Sequence, residues 1–283
     1  MKLSVSSGFS GKVAVVTGGA GVLCREFCKA LATRGAKVAI LNRTLSHAQE
    51  VEKEIRALGG EAMALEVNVI DPESVKAAHE VVLSKYGKCE ILINGAGGNH
   101  STATADDEYF SMDTLLDETK KSFFDLPVEG FSSVFDLNIK GSFLPTQEFA
   151  RDMVELGHGN ILNISSMNAY TPLTKIPAYS AAKAGVSNFT QWLAVHFSKS
   201  NIRVNAIAPG FFFTPQNAKL LWNDDGTPTA RTDKILRATP MGRFGKPEEL
   251  LGAVLFLLDD AAAGFITGVV LPIDGGFSAY SGV

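Results

Sequence analysis

The chain has 283 residues, enough for one large domain or two small ones at about 100–200 residues each. Hydrophobic residues are 46% and charged residues 20%, which excludes a disordered chain, and a net charge of −4 argues against a nucleic-acid binder, whose contact face is usually basic. The longest apolar run, 250–258, falls short of the roughly 20 residues a membrane span needs.

Residues 12–17 (KVAVVT) read as a buried strand, and 27–33 lie in the helix that follows. A second strand at 37–41 leads to a helix at 46–58, and strands at 62–67 and 91–93 flank a helix at 72–86. Further on, 160–164, 203–206 and 269–273 are strand-like, with helical patterns at about 131–156, 179–199 and 247–258. Near-continuous Val/Ile/Leu strands alternating with helices predict a parallel sheet covered on both faces. Right-handed crossovers make it doubly wound. No linker-like tract divides the chain, so the expected architecture is α/β, Rossmann-type, one domain over 1–283. Two stretches break the rhythm: 98–130 is acidic and lacks an apolar face of helix or strand length, and 211–245 is a long polar connection. Both follow predicted strands and leave the carboxyl edge of the sheet, where ligands bind in such folds.

The cysteines Cys24, Cys28 and Cys89 are few and odd in number, so no disulfide framework is expected and a reducing compartment suits them. Cys24 and Cys28 lie a helical turn apart without further ligands nearby, so no metal site is expected. Residues 1–10 hold one lysine and no apolar core of signal-peptide length. The expectation is a cytoplasmic protein with a small-molecule substrate and neither a membrane nor a nucleic-acid partner.

The first strand ends in Thr17-Gly18-Gly19-Ala20-Gly21 and runs into a helix. Glycines there let the backbone approach a pyrophosphate, and the helix N-terminus offers N–H donors and a positive dipole end. The second strand ends at Asn42-Arg43, where an adenosine ribose is expected. The neutral end followed by a guanidinium suits a 2′-phosphate, so NADP(H) is favoured; NAD(H), with Arg43 a solvated surface charge, is the other reading. Tyr179 and Lys183 are four apart at the start of a predicted helix and share one face. A neighbouring ammonium stabilises a phenolate, so Tyr179 is placed to exchange a proton with a carbonyl oxygen or alcohol.

These residues occur in a familiar order. Ser166 closes Asn163-Ile164-Ser165-Ser166, thirteen residues before Tyr179; Asn138 sits in Leu137-Asn138-Ile139-Lys140-Gly141; strand four ends in Asn94-Gly95-Ala96-Gly97. Pro209-Gly210 with Thr214, and Ile273-Asp274-Gly275-Gly276, complete the set. The chain resembles the short-chain dehydrogenase/reductase family over nearly its whole length. The resemblance implies a nicotinamide-dependent oxidoreductase acting on CH–OH groups. Ser166 would stabilise charge on the substrate oxygen, Tyr179 act as general acid in reduction, Lys183 lower its pKa and bind the nicotinamide ribose, and Asn138 hold a water in a proton relay. It also implies a cofactor held by Thr17, Gly18, Gly19, Gly21, Val22 and Leu23, by Asn42 and Arg43, and by Asn68 and Val69. Asn94, Ala96, Gly97, Tyr179, Lys183, Pro209, Gly210, Phe212 and Thr214 complete that list. A homotetramer (or dimer) through the helices at about 131–156 and 179–199 follows by resemblance.

Three departures stand out: Val22 and Cys24 occupy two of the family's glycine positions, Asn68 replaces a usual Asp, and 98–130 reads as an insertion. The insertion, with Gly21-Val22-Leu23-Cys24 and Gly97-Gly98-Asn99-His100, resembles the branch of D-mannonate oxidoreductases (D-fructuronate reductases), near gluconate 5-dehydrogenases. The implied substrate is then a sugar-acid ketone or secondary alcohol, D-fructuronate/D-mannonate. Asn99, His100, Asn168 and Gln216 are candidate substrate contacts, and Asn217, Arg231 and Arg237 lie where a polyhydroxy acid could meet them. Leu173, Phe211, Phe212, Phe213 and Trp222 permit a less polar ketone instead, such as a 3-oxoacyl substrate. A non-catalytic nucleotide-binding protein is the alternative outside enzymes.

Overall fold

The computed structural model describes residues 8–214 and 221–282. Seven parallel strands form one sheet in the order β3-β2-β1-β4-β5-β6-β7. They are β1 (Val13–Thr17), β2 (Lys37–Asn42), β3 (Glu61–Glu66), β4 (Ile91–Asn94), β5 (Gly159–Ile164), β6 (Ile202–Pro209) and β7 (Val270–Ile273). Alternation along each strand builds two cores at once. Ala14 and Val16 of β1, Val38 and Ile40 of β2, and Ile91 and Ile93 of β4 face one of them. Val13 and Val15, Ala39 and Leu41, and Leu92 face the other. The first core is covered by α1 (Cys24–Ala32), α2 (Leu45–Ala57) and the helix Leu251–Leu258, through Phe27, Leu31, Ile55, Val254 and Leu257. The second is covered by α3 (Pro72–Tyr86) and two later helices, through Val75, Val82, Phe149, Met153 and Leu193.

Local chemistry sets the helix ends. Asp71 accepts the Glu73 N–H at 3.1 Å and Pro72 occupies the first turn of α3, which matches the sequence bounds of 72–86. The long helix expected at 131–156 is three pieces in line: α4 (Val128–Phe135), a π-helical segment (Asp136–Lys140) and α5 (Gly141–Leu156). Pro145 has no N–H to donate one turn back, and π segments of this kind concentrate at functional sites. α6 (Pro177–His196) starts on Pro177. The sequence reading missed the helix Ala230–Ala238, which Thr229 caps by accepting the Thr232 N–H at 3.3 Å. Likewise, 98–130 holds short helical turns at Ser101–Ala103, Met112–Leu116 and Phe123–Asp125. Among the described residues, no helix is long and apolar enough to cross a membrane, and no group of three metal-ligating side chains occurs.

The sheet order reverses between β1 and β4, because β1 leads outward to β2 while β4 lies on its other side. A crevice therefore opens between their carboxyl ends, at the switch point where such folds bind nucleotides.

Candidate active site

A cleft of about 520 Å³ lies at that switch point. Gly18, Gly21, Asn42, Arg43, Asn68, Val69, Ala96, Gly97, Asn99 and His100 of the sequence reading line it. It also takes in Gly98 and the face of α4 and the π segment carrying Ser133, Val134 and Leu137, which the sequence reading missed. Only their spacing, three to four apart on one helical face, would have pointed to them.

Gly18 has φ +60°, and a Cβ there would stand 2.8 Å from the Ala96 Cα. The bare backbone therefore lets the β1 turn and the β4 exit meet. No side chain caps the start of α1; the N–H groups of Arg25 and Glu26 turn back to the carbonyls of Gly21 and Leu23, at 2.9 and 3.2 Å. Cys24, at a position where the family has glycine, is accommodated because its neighbour is Gly95: a Cβ on Gly95 would fall 2.2 Å from the Cys24 Sγ. Burial pushes the Cys24 thiol up to about 12, partly offset by the charge of Lys183.

Two residues assigned to the cofactor act behind the cleft instead. Thr17 is fully buried, and its Oγ1 accepts the N–H groups of Gly95 and Ala96 at 3.1 and 3.2 Å, tying β1 to β4. Asn94 is buried and donates to Thr146 Oγ1 and Asn163 Oδ1, both at 2.8 Å. Both side chains face neighbouring strands and helices because their positions are the last, fully covered residues of their strands.

At the other end of the crevice, the four candidate catalytic residues converge. Asn138 sits in the π segment, fully buried. Its Nδ2 donates to Val134 O at 2.7 Å and Gly98 O at 2.8 Å, and its Oδ1 accepts the Gly98 N–H at 3.2 Å. The side chain thus clamps the β4 exit, and its backbone carbonyl accepts Ser142 Oγ at 2.9 Å. Gly97 is what permits the approach: a Cβ on it would lie 2.6 Å from Asn138 Oδ1 and 3.0 Å from Lys183 Nζ. Lys183 is buried, donates to Ile164 O at 2.7 Å and stands 5.6 Å from the centre of the Tyr179 ring. Burial pulls its pKa down to about 8.

Ser166 leaves β5 extended, accepts the Asn168 N–H at 3.2 Å and acts on the Tyr179 phenol. Burial raises the Tyr179 phenol above its ordinary value, with the Ser166 hydroxyl acting the other way. Lys183, expected to lower it, stands beside the ring, and desolvation is the larger of the two causes that act on the phenol. Ser165, by contrast, joins β5 to α6 through Lys183 O at 3.1 Å and Ser187 Oγ at 2.7 Å, a structural part.

The segment Pro209–Gly210 rests on the chain's closing turn: a Cβ on Gly210 would stand 2.6 Å from the Asp274 Cα. Phe212 and Thr214 are buried beyond it. Asn99 donates to Thr104 Oγ1 at 2.9 Å, and His100 Nδ1 lies 2.8 Å from Thr102 Oγ1, so both shape the loop turn as well as lining the cleft. Asn168 is buried with its Oδ1 unpartnered among the described residues. Gln216 and Asn217 lie outside the described residues. Arg243 forms a two-bonded pair with Glu249 at 2.6 and 2.7 Å, in keeping with a structural turn.

Residues 12–224 match the family described as short chain dehydrogenase. The chain belongs to that family and is a nicotinamide-cofactor oxidoreductase. An uncharacterized oxidoreductase of Haemophilus influenzae is 54% identical over 100% of this chain and 99% of its own length. A solved Haemophilus structure, provisionally assigned as a D-mannonate oxidoreductase and holding NAD, superposes with a TM-score of 0.95 at 54% identity, covering 100% of both chains. A gluconate 5-dehydrogenase from Burkholderia cenocepacia, in complex with NADP and tartrate, superposes at 0.81 with 28% identity, covering 98% of this chain and 99% of that one.

Proposed function

We propose that this chain interconverts a sugar-acid ketone and its secondary alcohol, D-fructuronate and D-mannonate, with a nicotinamide cofactor. The convergence of Asn138, Ser166, Tyr179 and Lys183 at the end of the crevice carries the reaction type. The full-length similarity to the provisionally assigned D-mannonate oxidoreductase supports the substrate. The cleft fits the cofactor on its own geometry: Gly18 and Gly21 leave the β1 turn without side chains, and Asn42 and Arg43 stand at the ribose end. When bound, the cofactor supplies or accepts the hydride.

The remaining steps belong to the chain. Tyr179, its pKa raised, holds its proton at neutral pH and donates it to the carbonyl oxygen. Ser166 donates a hydrogen bond to the same oxygen, where negative charge builds. Lys183 borders the phenol with a charge that favours proton release in the oxidative direction. Asn138 holds Gly97 and Gly98 against the nicotinamide end, a positioning role beside the relay the resemblance implies. Asn168, with an unpartnered buried carbonyl, is placed to accept a substrate hydroxyl.

NADP(H) is supported by Arg43, which is exposed and lines the cleft beside the neutral Asn42. NAD(H) is favoured by the NAD held in the Haemophilus structure. Subunit contact through α5 and α6 is supported by exposed Phe143, Trp192 and Val195 on their outer faces. The free, buried cysteines suit a reducing cytoplasm.

Following nicotinamide absorbance with D-fructuronate and with a 3-oxoacyl ketone, each against NADH and NADPH, tests this reading. Rapid oxidation with D-fructuronate is expected. Turnover of the 3-oxoacyl ketone alone would overturn the substrate, and the better cofactor decides the role of Arg43.

A further inference from the structure

A second cavity, of about 500 Å³, lies beside the catalytic end, within the range of about 300–1,000 Å³ typical of small-molecule sites. Glu108 of the 98–130 segment, Lys175 and Ile176, Phe211, and Arg231 and Lys234 of the helix Ala230–Ala238 line it. It adjoins the chemistry. Ile176 is the residue before α6 and accepts the Ser180 N–H at 3.2 Å; Tyr179 follows about 4.5 Å of helix rise later. Phe211 follows directly on Gly210.

Three cations here face one carboxylate, in a chain whose net charge is −4. The carboxylate is already neutralised: Lys234 Nζ meets Glu108 Oε1 at 2.5 Å. Lys175 donates to the Asp106 carbonyl. Arg231 has neither a hydrogen bond nor an ion pair among the described residues. A guanidinium presents its donors in a planar fork that matches the two oxygens of a carboxylate. Arg237, on the same helix, does not border the cavity.

We infer that Arg231 anchors the carboxylate of the substrate, with the 98–130 segment as the opposite wall of its pocket. The inference rests on the sugar-acid reading above and adds the residue that distinguishes an acid from an uncharged polyol. It also gives the insertion a place at the site: Glu108 pairs with Lys234 of the Arg231 helix across the cavity.

The test is calorimetric titration of D-gluconate, with D-glucitol as its uncharged counterpart, into enzyme saturated with NADH, where no oxidation of the ligand occurs. Wild type should bind D-gluconate and prefer it to D-glucitol. Arg231→Gln should weaken D-gluconate by about tenfold or more, the scale of a lost hydrogen bond to a charged group, while leaving NADH affinity and Tm unchanged. Arg231→Lys should fall between, and Arg237→Gln should match wild type. Equal affinity for the two ligands, no D-gluconate binding by wild type, an unaltered Arg231→Gln, or an equal loss in Arg237→Gln would each overturn the assignment. Failure of D-fructuronate turnover would instead remove the substrate reading and leave this titration to judge Arg231 on its own.

Discussion

Around Lys183 and Asn138, buried polar groups meet backbone partners at the end of β5, in the β4 exit and in α4: Ile164 O, Gly98 O and N–H, Val134 O. Around Arg231 and Lys234, the polar groups are exposed side chains joined by an ion pair and reached from a surface segment. The 98–130 segment carries exposed Tyr109, Leu116, Phe123 and Phe124, while the residues beneath the catalytic end are closely packed. The contrast separates two tasks. One region is built of parts that cannot move without breaking the sheet edge, the other of connections that tolerate change; on the proposed function, the first holds the chemistry and the second selects the substrate.

The sharpest way to break this contrast is at the phenol. Tyr179→Phe keeps the ring and removes the proton, so turnover should fall by about 10²–10⁴-fold with cofactor affinity retained. Turnover near wild type in a stopped-flow absorbance assay would mean that another group carries the proton.

A second test adds one methyl group to the tight side. Gly97→Ala would drive a Cβ to 2.6 Å from Asn138 Oδ1. Overpacking of that kind costs about 1–3 kcal/mol, and turnover should drop as Asn138 and Lys183 are displaced. A variant with unchanged Tm and kcat would place the β4 exit farther from both residues. The same methyl at Gly98, where a Cβ meets nothing within 4 Å, should be much milder.

The third effect is a pH dependence. The unfolded chain keeps the Lys183 proton up to the ordinary value of 10.5, the folded chain only up to about 8. Between them the unfolded state binds more protons, so the stability contributed at this site rises with pH across that window and is lost as pH falls through it. In urea melts, wild type should therefore gain on Lys183→Met between about pH 8 and pH 10. A constant difference would mean that Lys183 titrates normally in the fold.

The smallest effect belongs to the exposed side. Glu108→Gln breaks the pair with Lys234, but exposed ion pairs contribute little and are screened by salt. Tm should not change measurably, and KM for an acidic substrate should rise by at most a few-fold, with kcat preserved. A large loss of stability would show the 98–130 wall to be as firmly built as the sheet edge.

Much of the first region was legible in the sequence. Near-continuous apolar strands alternating with helices predict a parallel sheet covered on both faces, because an open face would leave apolar side chains in water. Glycine clusters at strand ends and the Tyr179–Lys183 spacing mark its carboxyl edge. Tertiary structure decided the rest, because it depends on neighbours far along the chain. Thr17 and Asn94 prove to brace the crevice, since the strands beside them bury their side chains. Cys24 fits because Gly95 faces it, 71 residues on. The helix Ala230–Ala238 escaped notice because its polar residues mask a short buried stripe, Thr232 and Ile235. Arg231 and Arg237 look alike in the sequence, and only the placing of that helix beside Phe211 and Glu108 around one cavity brings one of them, not both, to its wall. Local propensity and periodicity are written in adjacent residues; which charged group faces a pocket is set by contacts between segments distant in the chain.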